Sequence, residues 1–427
     1  MEEFVINGGI PLSGDLTPSG NKNAALPLLA ASLLTSEPVI LHNLPDILDV
    51  KTMIQLLKSL NVKIERLDDN TIRLNAGEIR PSDLDPASCR RIRASILLAG
   101  PLISRVGELH LPPPGGDVIG RRRLDTHILA FSQLGVQTTF VDNQFHFLVD
   151  KLTGAEILLD EASVTATENA IMASVLAEGK TTIKNAASEP HIQELCQFLN
   201  KLGAHIENIG SNKLNITGVK NLHGGEFTIG PDYLEVVSYI GAAIVTGGTI
   251  HIKGAGVEHL DMIRLVMNRL GVDWKTEGND IYVPPNQTLT IEPDLGNAIP
   301  EISVMPWPAF PTDLMSIAIV IATQSSGSIL FHDWMYPSRM YFTDKLVGMG
   351  AQIVLCDPHR CIVQGPTKLN GENLESPDIR AGMALVLAAL SADGESVIRN
   401  VSQIDRGYQN VDKKLTDLGA NIIRRSL

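Results

Sequence analysis

Aromatic residues are scarce in this 427-residue chain, at 4% of the total. Its cores must therefore be assembled from Ala, Leu, Ile and Val. Cysteine is also rare, and Cys89, Cys196, Cys356 and Cys361 are too few and too scattered for a disulfide framework. Cys356 and Cys361 flank His359, but zinc needs four ligands in tighter pairs, so this stretch reads as a turn between two strands. Net positive charge is missing. Asp and Glu number 48 against 35 Lys and Arg, a balance of −13, so no broad basic field exists for nucleic acid. No run approaches the ~20 apolar residues of a membrane helix. The N-terminus lacks the basic and apolar regions of a secretion signal, so a cytoplasmic protein is expected. The length suggests two or three domains.

What is present is a repeat. A Leu-Gly-type signature falls at Leu60-Asn61-Val62, Leu134-Gly135-Val136, Leu202-Gly203-Ala204, Leu270-Gly271-Val272, Met349-Gly350-Ala351 and Leu418-Gly419-Ala420, at a period close to seventy residues. A fixed period is the mark of repeated supersecondary units. Each copy contains a helical stretch that is apolar nearly all round, such as Ala24 to Leu34 or Ala381 to Leu390, and a helix without a polar face is a buried helix. A second, amphipathic helix follows, such as Val50 to Leu60 or Ile192 to Leu202, and belongs outside. Short β-type runs with glycine punctuation surround both. The expected fold is α/β: six βαβαββ repeats, three per domain, each domain closing around its buried helices with sheets outward. Gly230-Pro231 is the natural divide. Residues 21–230 form the expected N-terminal domain, and residues 231–427 with 1–20 the C-terminal one.

The copies differ where their buried helices begin. Lys22, Arg93 and Arg380 stand at helix starts, where the helix dipole disfavours cations, so anionic ligands are expected opposite them. Other copies place carboxylates there (Asp232 with Glu235, and Asp313) or neutral hydroxyls (Ser163, Thr165). The densest cluster, Pro-Pro-Pro-Gly-Gly-Asp117-Val-Ile-Gly-Arg121-Arg122-Arg123, sets one acid beside three guanidinium groups on a Gly-rich loop suited to phosphate. It is not a P-loop, since the Gly-x4-Gly-Lys-Ser/Thr spacing is absent.

Ser19-Gly-Asn-Lys22-Asn23-Ala-Ala, Arg93-Ala-Ser-Ile, Pro-Gly-Gly-Asp117-x-Ile-Gly-x-Arg122, Ala309-Phe-Pro-Thr-Asp313 and Ile404-Asp-Arg406-Gly-Tyr together resemble the enolpyruvyl transferases along essentially the whole chain. The resemblance implies a two-domain inside-out α/β barrel with the active site in the cleft between the domains. It also implies transfer of the enolpyruvyl group of phosphoenolpyruvate to the 3′-hydroxyl of UDP-N-acetylglucosamine, with release of phosphate, the first committed step of peptidoglycan precursor synthesis. It implies no metal and no organic cofactor. By the same resemblance Lys22, Asn23, Arg122, Arg339, Arg380 and Arg406 bind phosphoenolpyruvate. Asp117 is the general acid, and Asp313 takes or orients the hydroxyl proton. Asn23, Arg93, Arg122, Arg123, Asp125, Thr126, Glu161, Ser163, Val164, Thr165, Asp313 and Met335 fall where the family meets the UDP-sugar.

Four departures concern the nucleotide end of the acceptor. Glu161 stands where the family commonly has lysine, Thr165 replaces glycine, and Arg123 and Thr126 replace Pro and Leu. A Glu near a diphosphate costs affinity unless Arg123 compensates. Asp117 replaces the family's usual cysteine. A carboxyl group serves as a general acid when its surroundings keep it protonated, but it cannot form the thioether that fosfomycin makes, so insensitivity to fosfomycin is expected. A different nucleotide acceptor, shikimate 3-phosphate, and a non-catalytic UDP-sugar-binding paralogue are the competing readings. The Pro-Gly-Gly loop and the Ala-Phe-Pro-Thr-Asp motif favour the UDP-sugar branch over shikimate.

Overall fold

The structure, a computed structural model, describes residues 2–80, 84–117, 119–120 and 122–426. The chain divides into two compact units. One, the N-terminal unit, holds Gly20–Asp117 and Arg122–Gly230. The other, the C-terminal unit, holds the residues up to Ser19, those from Pro231 onward, and Ile119 with Gly120 from the Asp117 loop. Val118 and Arg121 of that loop lie outside the described residues.

Each unit is an inside-out α/β barrel, with helices inside and sheets outside. In the N-terminal unit the inner helices are Lys22–Ala31, Ala99–Val106 (entered through the 3₁₀ turn Arg93–Leu98) and Val164–Ser174. In the C-terminal unit they are Tyr233–Val245, Met315–Gln324 and Ile379–Ser391. Small residues allow their close approach. A Cβ at Gly241 would sit 2.8 Å from Leu387 Cδ2, and one at Gly100 would sit 2.9 Å from the Asn169 carbonyl oxygen. Each unit has its own continuous apolar core.

The Leu-Gly signature is a helix stop. Every outer helix ends with a residue of left-handed conformation, five times Gly (φ 81° to 105°) and once Asn61 (φ 68°). The next residue donates its N–H five residues back: Val62 to Leu57, Val136 to Phe131, Ala204 to Leu199, Val272 to Met267, Ala351 to Leu346 and Ala420 to Leu415. This closure satisfies carbonyls that a helix end leaves open, and Gly or Asn suffers least from the required φ.

Most sheets share one plan: a short parallel edge strand, then an antiparallel trio. In the N-terminal unit, Gly225–Thr228 runs parallel to Val39–His42 and Glu156–Leu158 to Lys180–Lys184. The sheet of Glu108–Leu111, Gln144–Leu148 and Gln137–Val141 has three strands among the described residues. The C-terminal unit draws on the start of the chain twice. Glu2–Asn7 lies between Glu395–Arg399 and Asn421–Ser426, antiparallel to both, and Ser13–Leu16 is the parallel edge strand beside Thr249–Ile252. The stretch around His359 is indeed a tight connection, between Gln352–Asp357 and Arg360–Gly365. Cys361 is buried there against Met340 while Cys356 is exposed.

Candidate active site

In the N-terminal unit, Asn21 caps the first inner helix, its side chain accepting from the backbone N–H groups of Asn23 and Ala24 at 2.8 and 3.3 Å. Lys22, the first helical residue, is buried, and its Nζ lies 2.8 Å from the Asp49 carboxylate. Asp49 stands in the first turn of the outer helix Leu48–Ser59, where the dipole favours an acid. The cation expected to face a ligand alone thus has a buried protein carboxylate as well. Sequence reasoning missed Asp49, although an acid in the first turn of the next helix was a visible signal.

Arg93 begins the second helical segment and donates Nη2 to the carbonyls of Arg122 and Arg123, at 3.3 and 2.9 Å. Arg93 therefore ties the far end of the Asp117 loop to a helix start. Gly115 and Gly116 dock the near end on the same stretch. A Cβ at Gly115 would lie 1.6 Å from the Arg90 carbonyl oxygen, and Gly116 has φ +105° with Arg93 Cβ only 2.8 Å from where its own Cβ would be. Asp117 follows at once and is partly buried. Further along the loop, Ile119 accepts from Ser338 N–H at 3.2 Å.

The four departures form two linked groups. Arg123 donates Nε to Asp125 at 3.1 Å and Nη2 to Asp160 at 3.2 Å, and Thr126 donates its hydroxyl to the other Asp160 oxygen at 2.6 Å. Glu161 stands exposed beside them. The expected offset of Glu161 by Arg123 is already divided: one guanidinium serves two carboxylates. Asp160 is a further residue that the sequence reading passed over, one position before Glu161. In the second group Asn169 Oδ1 accepts from Gly100 N–H, so its Nδ2 donates to the Ile96 carbonyl and to His127 Nδ1, each at 2.9 Å. That fixes the tautomer: Nδ1 accepts, so Nε2–H donates to the Thr165 hydroxyl at 3.1 Å. Burial, with Arg93 nearby, pushes the His127 pKa down to about 3, so the ring is neutral. Ser163 precedes the helix without capping it by its side chain, and Val164 packs on the core.

In the C-terminal unit, Asp313 sits in the 3₁₀ turn Thr312–Leu314 ahead of an inner helix. Its two oxygens accept from Arg339 Nη2 at 2.5 Å and Arg380 Nε at 3.1 Å. Arg380 is the second residue of its helix, behind the cap Asp378, and its guanidinium stands 5.5 Å from the Tyr408 ring. Burial alone would push Arg380 down; Asp313, Tyr408 and Asp232 outweigh it and move the group up, so it stays charged. Asp333 accepts from Thr312 Oγ1 and from the N–H groups of Met335 and Tyr336, which fixes the turn bearing Met335. Arg406 caps the short helix Ser402–Asp405, its Nη1 donating to Gln403 at 2.9 Å.

The two carboxylates at the start of the helix Tyr233–Val245 have structural work. Asp232 caps Tyr233–Val245 through the N–H groups of Leu234 and Glu235. Glu235 accepts from Ser19 N–H at 3.0 Å and pairs with Lys414, which also donates to the Ser19 hydroxyl at 2.7 Å. The Glu235 charge braces the chain at Ser19 together with Lys414, which a local reading of the helix start cannot see.

Residues 6–415 match the family model of EPSP synthase (3-phosphoshikimate 1-carboxyvinyltransferase). The chain belongs to this family. Within it, the chain is 54% identical over 422 residues to the UDP-N-acetylglucosamine 1-carboxyvinyltransferase of Bradyrhizobium diazoefficiens, covering 99% of this chain and 98% of the relative. It is 52% identical to the enzyme of that name from Treponema denticola, with 99% of each covered. Among solved structures of the family, the enolpyruvyl transferase NikO from Streptomyces tendae has a TM-score of 0.89 at 25% identity, with 100% of this chain and 99% of that chain covered. EPSP synthase from Acinetobacter baumannii has a TM-score of 0.77 at 16% identity, with full coverage of both, and shares the fold.

Proposed function

We propose that this chain transfers the enolpyruvyl group of phosphoenolpyruvate to the 3′-hydroxyl of UDP-N-acetylglucosamine and releases phosphate. The observation that carries this reading is identity above 50%, over nearly the full length of both chains, to enzymes named for that reaction. The site chemistry agrees with it. The reaction adds a proton to C3 of the donor and the sugar oxygen to C2; loss of phosphate and of a C3 proton then leaves the enol ether. Lys22, Arg122, Arg339, Arg380 and Arg406 hold the anionic donor. Asn23 reaches both substrates. Asp117 supplies the C3 proton, and Asp313, oriented by two guanidinium groups, takes the hydroxyl proton. Arg93, Arg123, Asp125, Thr126, Glu161, Ser163, Val164, Thr165 and Met335 form the acceptor's surroundings. The four unpaired cysteines suit the reducing cytoplasm, and no described helix is long and apolar enough to cross a membrane.

The test is phosphate release from phosphoenolpyruvate with UDP-N-acetylglucosamine, other nucleotide acceptors and shikimate 3-phosphate in parallel. Release with the UDP-sugar supports the reading. The acidic group of Asp125, Asp160 and Glu161 around a single Arg123 favours a nucleotide that is less anionic at this end, and faster release with such an acceptor would replace UDP-N-acetylglucosamine in the proposal. No release with any acceptor would point to a binding protein. Fosfomycin is expected to leave the wild-type protein active. Asp117→Cys should acquire time-dependent inactivation with a covalent adduct, readable by mass spectrometry.

A further inference from the structure

We infer that Arg424, three residues from the C-terminus, is a positioning residue for the donor site. The inference deepens the proposed function and rests on it. Arg424 lies on the last strand, Asn421–Ser426. All five of its guanidinium N–H groups are used. Nη1 and Nη2 donate to the two oxygens of Asp405 at 2.9 and 2.7 Å, Nε and Nη2 donate to the two oxygens of Asp412 at 3.2 Å each, and Nη1 donates to Glu2 at 2.9 Å. The Phe4 ring lies beneath it at 4.8 Å. A side chain with its whole fork engaged, and on a ring, has one geometry.

The two aspartates bracket a single segment. Asp405 immediately precedes Arg406, and Asp412 stands in the first turn of the helix Val411–Asp417. Between them run Arg406, assigned above to the donor, and Tyr408, whose ring lies against Arg380 and whose hydroxyl is 2.9 Å from that of Ser238. Arg380 in turn holds Asp313. One guanidinium thus closes both ends of the stretch that delivers a donor cation and the support of a second. Without it, the carboxylates of Glu2, Asp405 and Asp412 would face one another with no cation between them, and both ends of the segment that carries Arg406 would be pushed apart.

Arg425 provides the control. It is next in the chain and binds Glu3 with Nε and Nη2, with no bond to residues 405–412. Arg424→Met, Arg424→Lys and Arg425→Met are compared with wild type for phosphate release with phosphoenolpyruvate and UDP-N-acetylglucosamine, alongside thermal midpoints. Arg424→Met is expected to raise the KM for phosphoenolpyruvate about tenfold, as expected when a binding group is misaligned, and to leave the acceptor KM unchanged. Arg424→Lys should fall between, because one ammonium cannot align two carboxylates. Arg425→Met should lower the thermal midpoint without changing either KM. An unchanged donor KM in Arg424→Met, or an equal rise in Arg425→Met, overturns the inference. Should Arg424→Met fail to fold, Arg424→Lys decides on the same criterion. Wild-type protein that releases no phosphate overturns the functional reading and this inference together, whereas wild-type turnover with unaltered Arg424 variants overturns this inference alone.

Discussion

Asp313 shows how much a single side chain does here. Two nearly buried guanidinium groups depend on its two oxygens, so Asp313→Asn removes the proton acceptor and leaves one donor facing an NH2 group. kcat should fall about 10²–10⁴-fold, the range for losing a general base. Stability should fall by at least ~1 kcal/mol, the scale of a lost charged hydrogen bond; steady-state kinetics and urea unfolding read the two effects separately. Glu168 behaves oppositely. It is buried in an inner helix, and desolvation first, then Glu189, holds its pKa well above 4.5. A raised folded pKa means the native state keeps a proton that the unfolded chain releases. The stabilising contribution is therefore full below pH 4.5 and is lost as pH rises toward the folded value. Glu168→Gln should raise the thermal midpoint at pH 7 to 8 and change it little at pH 4. A gain confined to acid pH would contradict this. Lys22, Arg93 and Arg380 were legible in the sequence because charge at the start of an apolar helix is a local oddity. Their partners were not, because the Asp49 carboxylate and the Arg122 and Arg123 carbonyls come from other elements.

At the scale of elements, the repeat signature was legible as a period, while its cause needed backbone angles. A left-handed residue after each outer helix closes the helix and turns the chain into its next strand, and this happens six times. Asn61 is informative because Asn is the side chain that best tolerates that conformation. The six positions are not energetically alike. A Cβ on Gly419 meets nothing within 4 Å, so Gly419→Ala isolates the backbone cost, about 1 kcal/mol. A Cβ on Gly271 would lie 2.5 Å from Thr290 N and 2.9 Å from Leu289 Cα. Gly271→Ala should therefore cost about 2–4 kcal/mol, since backbone must move as well. Equal shifts in urea midpoint for the two variants would show that the close approach to Thr290 carries no weight.

For the whole molecule, the order of strands makes the two units unequal as independent pieces. The N-terminal unit takes every strand of its three sheets from within Gly20–Gly230, including Gly225–Thr228 beside Val39–His42. Its core is likewise internal. A fragment of residues 20–230 should therefore fold alone, with cooperative unfolding and dispersed amide resonances. The C-terminal unit cannot be cut the same way. Its last sheet places Glu2–Asn7 between Glu395–Arg399 and Asn421–Ser426, so a fragment of residues 231–427 loses a central strand. It also loses Phe4, Ile6, Leu12 and Leu16 from its core, the edge strand Ser13–Leu16 and the Ser19 contacts of Glu235 and Lys414. Unpaired strand edges and exposed apolar surface favour aggregation over folding. Appending residues 1–19 behind residue 427 through a flexible linker restores the missing strands in the same register, because Glu2 and Ser426 are already paired neighbours. That permuted fragment should be soluble and cooperative where the plain fragment is not. If residues 231–427 fold equally well without the appended strand, the N-terminal strand is an ornament of the sheet and not the member that completes it.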